Sequence, residues 1–454
     1  MRASIIHMKH LILLSILITV AVSGIAQVRG GSFFSYRYFL DDLPNGLRLI
    51  TVPTDNPNLV ALYIVVRTGS RNEIEPGKSG FAHLFEHMMF RGSEHFTAEQ
   101  RDALLKRAGA ASNAYTSDDR TVYHEVFSKE DLDRVMELEA DRFQRLNNRQ
   151  NVYKTETQAV LGEYNKNSAN PQEKLFEVVR ATAFTRHTYR HTTMGFIEDI
   201  EAMPKEFDYS YEFYHRYYRP EYATVILVGD VTRDRALKLT QQYFGAWKRG
   251  DYTPAIPGEP PQTAPRAGHI DWPSPTLPLV WVAFHGPAYS DEKIDKAALD
   301  LLAPIAFGEN SELYRKLVLD EQKVDELSPA FDDLTDPELF SVFARVKKPQ
   351  DMDDVRDQIL AAFAKFATEL IPQARLDATR QRLRYGTALN LTSSEAVASF
   401  LAPYVALCRS PETIDKLFAL YNRITPADVR EMAARYFAAT NRTLVTLATK
   451  TGAK

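Results

Sequence analysis

The sequence predicts an α+β protein built as two halves of one kind, and three observations carry that expectation. Strand-like apolar runs and helix-period patterns alternate along the whole chain, with neither confined to one end. A proline-dense stretch from Thr253 to Pro261, with Pro265 soon after, divides the chain, because fixed φ angles and missing N–H donors forbid regular structure. The close of the first half also recurs at the end of the second. Met432–Phe437 before the apolar run Thr443–Leu447 resembles Phe213–Tyr218 before Ala223–Val228. The expected division is a leader at 1–26, a first domain at 27–250, a semi-rigid linker at 251–268 and a second domain at 269–454.

The leader has three parts. Arg2 and Lys9 precede an apolar run from Leu11 to Val22, and small residues Gly24 and Ala26 follow before Gln27. This is the pattern of a secretory signal peptide. A run of about 12 residues is short for a membrane span, although an uncleaved anchor fits the same residues. The expected destination is export, to a bacterial periplasm.

Past the leader, Leu47–Val52 and Val60–Val66 read as strands from their β-branched content. Helical patterns follow around residues 81–90, at Ala98–Ala108 and at Lys129–Asn147, with strands at Ala114–Thr116 and Thr121–Val126 between them. Ala223–Val228 reads as a strand and Thr232–Phe244 as a helix with Thr232 as its N-cap. The second half opens, on this reading, at the strand Leu279–Phe284.

The most informative residues are His83-Leu84-Phe85-Glu86-His87. Positions i, i+3 and i+4 share one helix face, so two imidazoles and a carboxylate converge there. Such a pair of imidazoles can bind zinc while the glutamate reaches a water on the metal, the H-x-x-E-H order of the inverzincins. The interleaved Phe81, Leu84, Phe85, Met88, Met89 and Phe90 mark a largely buried helix, where three polar side chains need partners. His83 and His87 therefore read as ligands and Glu86 as a general base. Catalytic zinc usually takes a third protein ligand. Glu156 and Glu163 lie seven residues apart, two helical turns, so they share a face. Paired glutamates more often form a solvated face, and spacing alone leaves the third ligand open.

These motifs resemble the pitrilysin/insulinase-type zinc metallopeptidases, particularly the short-chain branch that includes the mitochondrial processing peptidases. The resemblance rests on H-x-x-E-H with 75 residues between His87 and Glu163, and on Glu156 seven before it. It rests also on Asn45-Gly46-Leu47, Gly69-Ser70-Arg71, Phe90-Arg91-Gly92-Ser93, Asn113-Ala114-Tyr115-Thr116, Thr121-Val122-Tyr123 and Tyr217-Tyr218-Arg219-Pro220 leading to Val228-Gly229-Asp230. The resemblance implies two homologous α/β-roll domains facing each other as a clamshell, with the metal motif in the first only. It implies one Zn2+ per chain on His83, His87 and Glu163, with Glu156 supporting the site without binding the metal. It implies endopeptidase activity on peptides or unfolded segments, with Glu86 as base, and an edge strand at Asn113, Ala114 and Tyr115 that pairs with an extended peptide. The chain departs from the family at one place. Single-chain members carry an arginine and, seven residues on, a tyrosine in the second half, where Val318 and Asp325 stand here. That departure implies the metal-bearing subunit of a heterodimer whose homologous partner supplies the pair, with a homodimer as the other arrangement. The contrasting reading is a non-catalytic binding or scaffold subunit.

Composition agrees with a globular protein: 454 residues, 44% hydrophobic and 25% charged. A formal charge of −4 becomes −6 when Arg2 and Lys9 leave with the leader, and without a basic run nothing points to nucleic acid. The single cysteine, Cys408, leaves no internal disulfide to expect. Gly77-Lys78-Ser79 lacks the earlier glycine of a phosphate loop, Asn72 standing there. His187 and His191, four apart, have no helical pattern and read as loop contacts. His95 and His124 read as surface or strand residues, and Asp351, Asp353 and Asp354 as a solvated helix start.

Overall fold

The computed structural model describes residues 32–450 together with the two-residue strand Ile25–Ala26. The predicted leader otherwise lies outside the described residues. No helix among the described residues is long and apolar enough to cross a membrane.

Among the described residues the first half carries seven strands: β1 (Ile25–Ala26), β2 (Tyr38–Asp42), β3 (Arg48–Pro53), β4 (Leu59–Val66), β5 (Ala111–Thr116), β6 (Thr121–Ser128) and β7 (Ala223–Gly229). They form one sheet in the order β1-β2-β3-β7-β4-β6-β5. Only β3 and β7 run parallel. The second half carries β8 (Arg266–Trp272), β9 (Leu279–His285), β10 (Val324–Ala330), β11 (Leu339–Val346) and β12 (Arg442–Thr449), ordered β10-β11-β9-β12-β8. Here β8 and β12 are the parallel pair. The two sheets therefore repeat one plan: β3-β7-β4-β6-β5 matches β8-β12-β9-β11-β10 in order and in sense. The second sheet opens before Leu279, because β8 begins at Arg266, inside the stretch whose prolines suggested a linker. Its alternating half-buried and exposed residues at the sheet's edge lack the apolar run that marks a central strand.

Helices complete each half in the same order. In the first they are α1 (Phe81–Met88), α2 (Ala98–Arg107), α3 (Leu132–Gln144), α4 (Gln150–Ser168), α5 (Pro171–Ala183), α6 (Ile197–Ala202), α7 (Phe207–Tyr217) and α8 (Arg233–Phe244). Thr232 caps α8 by accepting from the Arg235 N–H, as its place in the sequence suggests. Helices at Ile294–Ala306, Met352–Thr368, Gln373–Asn390, Ser394–Cys408, Glu412–Arg423 and Pro426–Tyr436 dominate the second half.

The halves are joined by exchange. Helix α5 of the first half packs on β8, β9 and β12, while its counterpart Ser394–Cys408 packs on β4 and β7. Leu175, Val179 and Ala183 join Leu279, Trp281, Val445 and Leu447 in one buried cluster. Val397, Leu401 and Val405 join Ile50, Tyr63 and Ile226 in another. This reciprocal cover explains why every residue of β7 is buried: its own helices shield one face and the other half's helix shields the second. The proline-rich connection is pinned to both halves. Glu259 accepts the N–H groups of Thr185, Arg186 and His187, and Gln262 donates to the carbonyls of Thr440 and Arg442.

Candidate metal centre

Helix α1 presents the two histidines. Its apolar residues Phe81, Leu84, Phe85 and Met88 are at most 1% exposed and anchor it on the core, so His83, Glu86 and His87 share the opposite face. Its start is built by an unusual partner. Gly80 at the N-cap has φ +89°, and the Glu73 carboxylate accepts the N–H groups of Gly80 and Ala82 at 2.8 and 2.7 Å. A Cβ on Gly195, itself at φ +87°, would fall 2.7 Å from the Gly80 nitrogen, so glycine is required where the two loops meet.

Helix α4 runs beside α1 and brings Glu163 to the pair. His83 Nε2 lies 3.6 Å and His87 Nε2 3.4 Å from the same Glu163 oxygen, Oε2. The ligand atoms of the three side chains all lie within 4.8 Å of one another. Ligands about 2.05 Å from a tetrahedral zinc are separated by about 3.3 Å, so two of the three edges already approach the required value. Two neutral imidazoles and a carboxylate are also the donor chemistry zinc takes in catalytic sites. Burial, then the neighbouring His87 ring, push His83 down to about 4, which leaves it neutral and free to donate a lone pair at pH 7. Among the described residues its buried Nδ1 has no hydrogen-bond partner.

Glu156, two turns before Glu163, points at the other side of His87. Its Oε2 lies 3.6 Å from His87 Nδ1, and its Oε1 accepts from Arg91 Nε at 2.7 Å. The 3.6 Å contact is longer than a hydrogen bond, yet the Glu156 charge pushes His87 upward against burial. Glu86 accepts a hydrogen bond from Thr116 Oγ1 at 2.5 Å. Burial raises its pKa above the usual carboxylate range and the Thr116 hydroxyl draws it partly back.

Beside these residues opens a cleft of about 350 Å3. His83, Glu86 and Glu163 line it together with Ala114, Tyr115 and Thr116 of β5. Among the described residues β5 pairs only with β6, so it is an edge strand there, with its outer backbone groups unpaired by the sheet. Asn113 lies on β5 but is not among the residues lining the cleft. In the second half, Val318 sits half-buried in a π-helical turn at Arg315–Asp320, packed on the core. Asp325, on β10, accepts from Arg345 Nε at 2.8 Å. The two positions thus supply neither a guanidinium nor a phenol.

Several participants escaped sequence reasoning. Thr116 stands in the quoted Asn113–Thr116 stretch, but no spacing links it to Glu86, 30 residues earlier. Arg91 lies past the end of α1 and meets Glu156, 65 residues later, so no local spacing marked it. Glu73 carried none. The four other histidines that the sequence singled out are held in place: His187 Nε2 meets Asp336 at 2.9 Å, and His191 Nδ1 meets the Thr192 carbonyl at 2.9 Å. His95 Nδ1 pairs with Asp141, and His124 stacks on Tyr63.

Comparison with known proteins adds independent information. Residues 49–196 match the family described as Insulinase (Peptidase family M16), and residues 207–383 match the Peptidase M16 inactive domain. The chain is 31% identical over 370 residues to the zinc protease PqqE of Helicobacter pylori, covering 80% of this chain and 82% of that one. It is 25% identical over 421 residues to the mitochondrial-processing peptidase subunit beta of Caenorhabditis elegans, covering 91% and 90%. A crystal structure of a protease from Helicobacter pylori superposes with a TM-score of 0.84 at 28% identity, covering 91% of this chain and 99% of that one.

Proposed function

The chain belongs to the M16 peptidase family, and from that premise we propose that it is a zinc-dependent endopeptidase acting on peptides or unfolded protein segments. The observation that carries the proposal is the approach of His83 Nε2 and His87 Nε2 to one Glu163 oxygen at 3.6 and 3.4 Å, with Glu86 on the same helix face. His83, His87 and Glu163 would hold the metal, and Glu156 would orient His87 from behind. Zinc held there supplies a Lewis acid for the scissile carbonyl and lowers the pKa of water from 15.7 to about 7.

The chain's own residues divide the remaining work. Glu86 takes the proton from the attacking water and returns it to the leaving amine, a task suited to a carboxylate whose pKa burial has raised. The open edge of β5 pairs with an extended substrate through backbone groups, with Ala114 and Tyr115 lining the cleft beneath it. Such pairing selects extended chain more than particular side chains.

Val318 and Asp325 bring no cation or phenol to the second half, which supports assignment of this chain as the metal-bearing subunit of a pair. The relative named subunit beta is consistent with that division. The signal pattern at 1–26 supports export to a periplasm, with retention as a membrane anchor the other fate of the same segment.

The test is metal analysis and peptide cleavage by the purified chain alone, mixed with a homologous subunit, and as Glu86→Gln. One zinc per chain is expected in both wild type and Glu86→Gln, with cleavage by wild type only. Cleavage that appears only in the mixture supports the split site. Retained cleavage by Glu86→Gln sinks the base assignment, and zinc binding with no cleavage in any combination favours a non-catalytic binding subunit.

A further inference from the structure

We propose that Thr116 is a positioning residue for this reaction, holding the carboxylate of Glu86 to the edge strand on which the substrate lies. The inference rests on the peptidase reading above and deepens it. Three observations carry it.

The first is the contact itself. Thr116 Oγ1 donates to Glu86 Oε2 at 2.5 Å, and among the described residues this is the one side-chain hydrogen bond made to Glu86. A glutamate on a helix has three rotatable side-chain bonds, and a free carboxylate here would sample several rotamers. Tying Oε2 fixes the carboxylate plane and leaves Oε1 as the oxygen that exchanges a proton.

The second is the stiffness of the donor. Thr116 is β-branched, so its χ1 is restricted, and it ends β5 where the chain enters a locked turn. Ser117 N–H donates to the Arg120 carbonyl at 2.8 Å and Arg71 N–H to the Asp118 carbonyl at 2.8 Å. The Asp118 carboxylate takes Ser70 Oγ at 2.9 Å and an Arg180 nitrogen at 2.7 Å. The Asp119 carboxylate takes Tyr189 Oη at 2.7 Å and, from the second half, the Thr335 N–H at 2.5 Å. The hydroxyl that holds the base is thereby braced by both halves of the molecule.

The third is continuity with the cleft. Ala114, Tyr115 and Thr116 line it in succession with Glu86, His83 and Glu163. A peptide paired along β5 is thus aligned by the same strand that aligns the base. The arrangement also serves both proton transfers. The water proton arrives at Oε1 and leaves from Oε1 to the amine, while Oε2 keeps accepting from Thr116 throughout, so the carboxyl does not turn between steps.

The test compares Thr116→Val, which keeps the shape without the donor, with Thr116→Ser, which keeps the donor. With zinc-loaded enzyme and a peptide substrate, Thr116→Val should lower kcat roughly ten- to hundredfold, part of the 10²–10⁴ that positioned proton transfer contributes. KM should change by less than about twofold and zinc content not at all, while Thr116→Ser should stay within about threefold of wild type. An unchanged kcat in Thr116→Val overturns the proposal. So does an equal loss in Thr116→Ser, which would assign the effect to methyl packing, or a rise in KM alone, which would assign it to substrate binding. Crystal structures of zinc-loaded wild type and Thr116→Val provide a reading independent of turnover. The Glu86 carboxylate should rotate away in the variant, and an unmoved carboxylate refutes the tether. Absence of cleavage by wild type in every combination would instead count against the peptidase reading, leaving the structural comparison to decide Thr116.

Discussion

Replacing Glu156 with glutamine removes one charge behind the candidate metal centre and almost nothing else. The residue is 2% exposed, with Oε2 3.6 Å from His87 Nδ1 and Oε1 held by Arg91. A glutamine amide oxygen can still accept from Arg91, so the packing should survive. What is lost is the negative charge that makes His87 a more basic ligand. Loss of such a supporting partner typically weakens metal affinity 10- to 100-fold, or about 1.4–2.7 kcal/mol. A second effect runs the other way. In the wild type the Glu156 charge raises the pKa of His87, so below that pKa a proton competes with zinc for the ring. In Glu156→Gln this competition sets in at lower pH. The affinity defect should therefore be full near pH 8 and shrink as the pH falls through the range where wild-type His87 protonates. Competition against a chromophoric zinc chelator between pH 8 and 6 measures it directly. Equal affinities at pH 8, or a defect that grows on acidification, would refute the orientation of His87 by Glu156.

Two further perturbations probe the frame around the site. Asp336 of the second half binds Arg71 Nε at 2.5 Å and His187 Nε2 at 2.9 Å across the junction. Burial raises its pKa, but these two partners outweigh burial and bring it down to about 2. Its contribution is thus fully present above about pH 4 and lost as pH falls through about 2. Asp336→Asn should cost about 1 kcal/mol near neutrality, allowing for screening of a partly exposed group. The gap between wild type and variant should close toward pH 2 in urea titrations, and a gap independent of pH would disprove the assignment. Gly195→Ala places a Cβ 2.7 Å from the Gly80 nitrogen at φ +87°. Left-handed strain and the clash together should cost roughly 1–3 kcal/mol or more and lower zinc occupancy by displacing the start of α1. Wild-type melting temperature and zinc content in that variant would show that the two loops yield freely.

The candidate face of α1 was legible because its information is local. His83, Glu86 and His87 lie within one turn, and the apolar residues between them show which face is buried. Thr116 and Glu73 were not legible, since each meets α1 through backbone folding with no periodic relation to it. The strands followed the same rule. β4 and β7 announce themselves as continuous apolar runs because both faces are covered, whereas β8, at a sheet edge, has no such run, and its first three residues fall inside the expected linker. The proline-dense connection from Thr253 to Pro265 forms neither helix nor strand. Its attachment by Glu259 and Gln262 could not be seen, because those partners lie 72 or more residues away in sequence.

By itself the sequence determined which side chains share the candidate helix face. Side-chain periodicity on one helix brings two imidazoles and a carboxylate together wherever that helix is placed, and the repeated ending of each half implied a repeated fold. Only the tertiary structure decided how the repeat is assembled: α5 and Ser394–Cys408 cross over to cover each other's sheets, joining the halves through shared apolar cores. It also decided which oxygen meets which nitrogen. Glu163 faces both imidazoles while Glu156, on the same helix face, meets only the far side of His87. Spacing of seven residues makes the two glutamates equivalent along α4, and only the placement of α1 against that helix separates them.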